Sequence, residues 1–250
     1  MKMNNIALFT TTMTLTAVLW SEANAAIALD RTRVIFNGNE KTISLNVTNQ
    51  NKELPYLAQG WIEDANGTKI ESPLTVLPPV QRVEAGDKSQ VKIQSLPDIT
   101  KLPQDRESVF YFNLREIPPK SSQPNVLQIA LQTRIKLFYR PKALYASRSD
   151  LDNPWQEKIT LQRVGDSYQI HNPTAYFVTI VDAAKDLKSD TVGNFEPVMI
   201  SPKGNATLRG SASTLGTSPV LTYINDYGGR PKLTFKCSGT SCTVASSSDN

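Results

Sequence analysis

Histidine and cysteine are almost missing from this sequence. Its 250 residues hold one histidine, His171, and two cysteines, Cys237 and Cys242. That scarcity removes the commonest general base and any cysteine–histidine nucleophile pair. No metal-ligand spacing, glycine-rich phosphate loop or paired-carboxylate motif appears. His171 lies in QIHNPT, a strand-turn pattern in which a structural role is expected. No enzymatic activity, cofactor or metal is therefore expected. Charge of one sign is scarce as well: 27 Lys+Arg against 23 Asp+Glu leave a net charge of +4. A mild excess of this kind suits an acidic partner or a carboxylate. It lacks the clustered basic residues and aromatic platforms of a nucleic-acid binder.

Beyond the N-terminus no apolar run approaches the roughly 20 residues that span a membrane. The first 25 residues read as a secretory signal peptide: Lys2 gives a positive start, Ile6 to Trp20 is moderately apolar, and Ala23-Asn24-Ala25 fits a signal peptidase site. The apolar run is too short and too threonine-rich for an anchor. The mature chain is expected to begin at Ala26 and to be secreted, and losing Lys2 and Glu22 leaves its charge at +4. In a secreted chain, two cysteines as close as Cys237 and Cys242 read as a local disulfide across a turn. The alternative, half of a metal site, has no other cysteine to complete it and only a distant histidine.

Helical periodicity is not sustained anywhere. KTISLNVTN alternates Ile43, Leu45 and Val47 inward, and PYLAQGWIED, QVKIQSL and SVFYFNLREI read as further strands. ANGTK carries the Asn-Gly hairpin signal. After Tyr139-Arg140-Pro141 comes an irregular stretch, KALYASRSDLDNPW. Strands then resume with KITLQRV, SYQIHN, AYFVTIVDA, EPVMISP, VLTYINDYGG and KLTFKCS. Each half is the size of an immunoglobulin-like sandwich. The expectation is an all-β chain with domains at 26–146 and 147–250, set at a fixed angle with a cleft between them. Pro78-Pro79 and Asn172-Pro173 mark turns.

NVLQIALQTRIKLFYRP, from Asn125 to Pro141, follows the proline-rich loop IPPKSSQPN. Leu127, Ile129 and Leu131 alternate with Gln128, Ala130 and Gln132, one apolar face of an unusually long strand. A long apolar edge beside a loop invites pairing with another chain.

The stretches LDRTRVIF, LPYLAQGWIE, PPVQR, LPQDRESVFYFNLREIPP, NVLQIALQTRIKLFYRP, NPTAYFVT and YINDYGGRP resemble the PapD-like periplasmic chaperones of the chaperone–usher pilus pathway. The likeness covers essentially the whole mature chain. It implies two immunoglobulin-like domains in a boomerang, and a role in binding, folding and capping pilus subunits and adhesin for delivery to an outer-membrane usher. By motif, Arg33 and Lys136 would anchor the C-terminal carboxylate of a subunit. Leu127, Ile129 and Leu131 would enter the open groove of a subunit that lacks its last strand. Glu107, Arg140 and Asp226 would form an ion-pair network across the domain interface. The short loop before the seventh strand resembles the branch that generally serves rod-like pili. Lys136 has opposite parity to Leu131, so a bulge or a strong twist is expected between them. The free chain is a candidate for a self-capping dimer. A structural pilus subunit or adhesin is the other class of reading; such a chain should lack its seventh strand, which is intact here.

Overall fold

A computed structural model describes residues 25–121, 123–145 and 153–248. The proposed cleavage segment therefore lies almost wholly outside the described residues, as does half of the irregular stretch between the two halves. The chain is all-β, with two immunoglobulin-like domains. Its one described α-helix, α1, has four residues, Ala212–Leu215.

The first domain carries β1 (Ile27–Leu29), β2 (Arg33–Asn37), β3 (Thr42–Asn49), β4 (Tyr56–Glu63), β5 (Lys69–Ile70), β6 (Leu74–Leu77), β7 (Val80–Val83), β8 (Lys88–Ser95), β9 (Ser108–Ile117) and β10 (Gln132–Arg140). One sheet runs β1-β3-β8-β6 and the facing sheet β2-β10-β9-β4-β5, with β7 also on β4. Alternation sets which face is buried. Leu45 and Val47 of β3, Val91 and Ile93 of β8, Phe110, Phe112 and Leu114 of β9, and Ile135, Leu137 and Tyr139 of β10 form one core. Each fully buried aliphatic or aromatic side chain contributes about 1.5–3 kcal/mol. The chain leaves the first sheet after β1 and joins the second at Arg33, so residues 30–32 cross the end of the sandwich.

The second domain carries β11 (Thr160–Val164), β12 (Ser167–Asn172), β13 (Val178–Ala184), β14 (Val198–Ile200), β15 (Gly204–Leu208), β16 (Val220–Tyr223), β17 (Lys232–Ser238) and β18 (Ser241–Ser248). They form one continuous sheet, β14-β13-β16-β17-β18-β11-β12-β15, curled until its edge strands β14 and β15 are neighbours. Its core includes Leu161, Ile170, Ile180, Leu221, Leu233 and Phe235. Cys237 and Cys242 are cross-strand partners in the β17–β18 hairpin and form a disulfide. β18, SCTVASSS, had no apolar alternation to announce it; its pairing with β17 and β11 makes it a strand. Leu77–Pro78 is cis, as is Ser72–Pro73.

Two sequence expectations are corrected here. The strand expected from Asn125 begins only at Gln132. Alternation specifies a face, but a strand needs a hydrogen-bonding neighbour. β9 ends at Ile117, and the last bond across this pair runs from Glu116 N–H to Leu131 O. The expected bulge is also absent from β10, which pairs with β9 from Gln132↔Arg115 to Tyr139↔Ser108 without a register shift. Ile135, Leu137 and Tyr139 of β10 face the first domain's own core; of the even positions, Lys136, Phe138 and Arg140 face the second domain, while Gln132 and Arg134 bond to Asn113 and Glu63 of the first. The apolar parity of Leu127, Ile129 and Leu131 thus continues that of Ile135 and Leu137 beyond the end of the sandwich.

Candidate functional site

Arg33 and Lys136 arrive at one place because β2 and β10 pair in parallel, with Arg33 and Lys136 as register partners. Both lie on the face turned toward the second domain. Arg33 is buried; its Nη1 donates to Ile224 O at 3.1 Å, and its guanidinium lies 5.9 Å from the centre of the Phe138 ring. Arg33 Nε is buried without a partner. Among the described residues, Lys136 Nζ reaches only Thr179 Oγ1, at 3.4 Å. Neither cation forms an ion pair with a carboxylate of the described residues. Burial and then the Arg33 charge push the Lys136 ammonium down to about 8. Arg33 is likewise lowered, by burial, against the pull of Asp226 and Glu107. Two half-desolvated like charges without a counter-ion repel each other, and an anion between them relieves both penalties.

Beside Arg33 lies a cleft of about 420 Å³ lined by Asp30, Arg31, Arg33, Ile35, Arg140, Tyr145, Asp226 and Tyr227 among others. Its polar groups are largely satisfied within the chain. Arg31 Nε donates to Asp30 Oδ1 at 2.8 Å, and Arg140 occupies Asp226.

Glu107, Arg140 and Asp226 do meet. Arg140 is 4 % exposed. Its Nε donates to Glu107 Oε1 at 2.8 Å, and Nη1 and Nη2 donate to the two oxygens of Asp226 at 2.8 and 3.2 Å. The guanidinium also lies 4.9 Å from the Trp155 ring centre and 5.0 Å from that of Tyr176. Glu107 Oε2 accepts from Phe177 N–H at 2.8 Å. Burial drives the Glu107 carboxyl up to about 6, even with Arg140 and the Phe177 amide pulling it down. Lys203 pairs with Asp105 at 2.7 Å, a second ionic link between the domains. Trp155, Tyr176 and Phe177 were not singled out from the sequence. They sit in strand and turn patterns that read as ordinary core.

Leu127, Ile129 and Leu131 are 84, 66 and 39 % exposed. They precede β10 and touch neither core. On the side of β10 that β2 occupies, β2 covers only Lys136–Arg140. No described strand lies along Gln132–Ile135 there, so the backbone is open on that edge up to Arg33 and Lys136.

Two family profiles match the chain: the N-terminal domain of PapD, described as a pili and flagellar-assembly chaperone, over residues 26–145, and the C-terminal domain of the pili assembly chaperone PapD over residues 154–235. The chain is 53 % identical over 222 residues to the probable fimbrial chaperone YfcS of Escherichia coli strain K12, covering 89 % of this chain and 87 % of that one. It is 52 % identical over 225 residues to the chaperone protein PapD of Escherichia coli, covering 90 % and 92 %. The crystal structure of the periplasmic chaperone SfaE superposes with a TM-score of 0.67 at 31 % identity, covering 83 % of this chain and 98 % of that one.

Proposed function

The chain belongs to the PapD-like pilus-assembly chaperones, and from that premise we propose that it holds a pilus subunit by its C-terminal carboxylate and by strand addition along β10. The observation that carries this reading is the pair Arg33 and Lys136, register partners without a carboxylate, standing where the open edge of β10 meets the first residue of β2. A strand added along that edge, in line with β2 and parallel to β10, arrives with its C-terminus at the two cations. Charge-assisted bonds to the carboxylate contribute about 1.5–3 kcal/mol each. Upstream, Leu127, Ile129 and Leu131 are already exposed, on the parity that covers the chaperone's own core further along. They fill the groove of a subunit that lacks its last strand, while the backbone extends the subunit's sheet.

Glu107, Arg140 and Asp226 hold the two domains at the angle this binding needs. The protein acts in the periplasm after removal of residues 1–25 and hands its subunits and adhesin to an outer-membrane usher. Without a subunit, two copies cover their apolar segments against each other. The reading as a pilus subunit or adhesin is disfavoured, because β10 lies between β2 and β9 in a complete sandwich. The test is recovery of soluble one-to-one complexes from periplasm. Arg33→Ala is expected to fold normally and to recover no subunit. Normal recovery with Arg33→Ala would falsify the anchor.

A further inference from the structure

The loop between β16 and β17 is held more firmly than a surface loop requires. Asn225 Oδ1 accepts from the backbone N–H groups of Tyr227 at 3.0 Å and Gly229 at 2.8 Å. The Asn225 backbone N–H donates to Gly229 O, and its carbonyl accepts from Gly228 N–H. Ile224 O accepts from Arg33, and Asp226 grips Arg140. Gly228 has φ +85°, and a Cβ there would stand 2.7 Å from Thr32 Oγ1. The loop is therefore pressed against the first domain on a backbone that suits glycine.

In the middle of these restraints the Tyr227 side chain is 81 % exposed. Neither its ring nor its hydroxyl has a partner among the described residues, yet it lines the same cleft as Arg33. The fold gains almost nothing from this ring. A large aromatic on a fixed backbone loses little entropy when a partner covers it, which is the property of an interface hot spot. We propose that Tyr227 is a specificity-determining contact of the subunit site: its ring packs on the last side chain of the subunit's C-terminal strand once the carboxylate lies between Arg33 and Lys136. This inference rests on the anchor reading above. It also assigns the chemistry of that last side chain. Asp30 is taken by Arg31 and Asp226 by Arg140. The cleft therefore offers rings, those of Tyr227 and the exposed Tyr145, rather than free polar partners, and it selects an apolar or aromatic side chain over a small polar one.

The experiment titrates the full mature chain with a short peptide of alternating threonine and valine that ends in tyrosine, leucine or serine, each with a free or an amidated C-terminus. The wild type should prefer the tyrosine and leucine endings. Tyr227→Ala should weaken those two by about thirtyfold, the lower end of a hot-spot loss, and erase the preference over serine. Tyr227→Phe should keep the preference, and neither substitution should move the melting temperature. Equal affinities for wild type and Tyr227→Ala overturn the proposal. So does a uniform loss across the three endings, because the ring would then be shaping the cleft rather than reading the peptide. Amidation separates the two claims. If it leaves binding unchanged, the carboxylate anchor fails, while the contrast between tyrosine and serine endings still reports on Tyr227. A wild type that binds none of the peptides overturns both.

Discussion

Replacing Ile129 with aspartate separates the cost to the free chaperone from the cost to the complex. In the free chain Ile129 is 66 % exposed, lies outside any strand and belongs to neither core. An exposed substitution of this kind changes stability by about 0.5 kcal/mol or less. At about 4–8 °C per kcal/mol for a domain of this size, the melting temperature should move by no more than about 4 °C. On the strand-addition reading, the same position enters an apolar groove in the complex. Burying the exposed two-thirds of an isoleucine contributes about 1–2 kcal/mol. An unpartnered carboxylate in that place adds a desolvation penalty of several kcal/mol. The sum exceeds about 4 kcal/mol, close to a thousandfold in affinity, so subunit recovery should fail outright. Two neighbours serve as controls. Ala130→Asp has the opposite parity and should still bind. Ile135→Asp has the same parity but faces the core and should unfold the first domain. Circular dichroism melting together with periplasmic co-purification decides. If Ile129→Asp melted more than about 10 °C lower, or retained its subunit, strand donation by this residue would be wrong.

Lys136 makes binding depend on pH. It titrates at about 8 in the free chain, and a bound carboxylate favours its charged form, so subunit affinity should be flat below that pH and fall as pH rises through it; Lys136→Met should bind weakly at every pH. The free protein follows the opposite trend. Between about 8 and 10.5 the unfolded chain holds the extra proton, so stability rises with pH in that window, and Lys136→Met should abolish the rise in urea titrations at successive pH values. Glu107→Ala leaves Arg140 Nε and the Phe177 N–H without their acceptor while Asp226 still holds the guanidinium, and should cost about 1–3 kcal/mol in denaturant unfolding; a loss below about 1 kcal/mol would remove Glu107 from the network. Reducing Cys237–Cys242 should lower the second domain's stability by about 2 kcal/mol, the chain-entropy value for so short a loop, and leave subunit binding intact; a binding loss with the fold preserved would refute that separation.

The anchor site was legible only in part. Arg33 and Lys136 were named from their motifs, but their approach depends on the parallel pairing of β2 with β10, 103 positions apart between the register partners. Nothing in either local stretch encodes that pairing. The ring box around Arg140, formed by Trp155 and Tyr176, and the exposure of Tyr227 were unreadable for the same reason. An aromatic residue in a strand or turn pattern looks alike whether it packs in a core, stacks on a cation or stands free.

Local chemistry by itself decided the class of the protein and the faces of its strands. Period-two alternation set which side chains of β3, β9 and β10 are buried, because successive residues of a strand must point to opposite sides. Scarce histidine and cysteine shaped the expectation that no catalytic chemistry would be found, and the cysteine spacing foretold the disulfide. Where strands begin and end was a tertiary decision, because a ladder of hydrogen bonds needs a neighbour. The polar β18 is a strand since β17 and β11 flank it, while the apolar Val126–Leu131 is not, since β9 stops at Ile117 and β2 starts only at Arg33. The same alternating pattern therefore buries Ile135 and Leu137 in the chaperone and leaves Leu127 and Ile129 exposed, at the point where the supporting strands end.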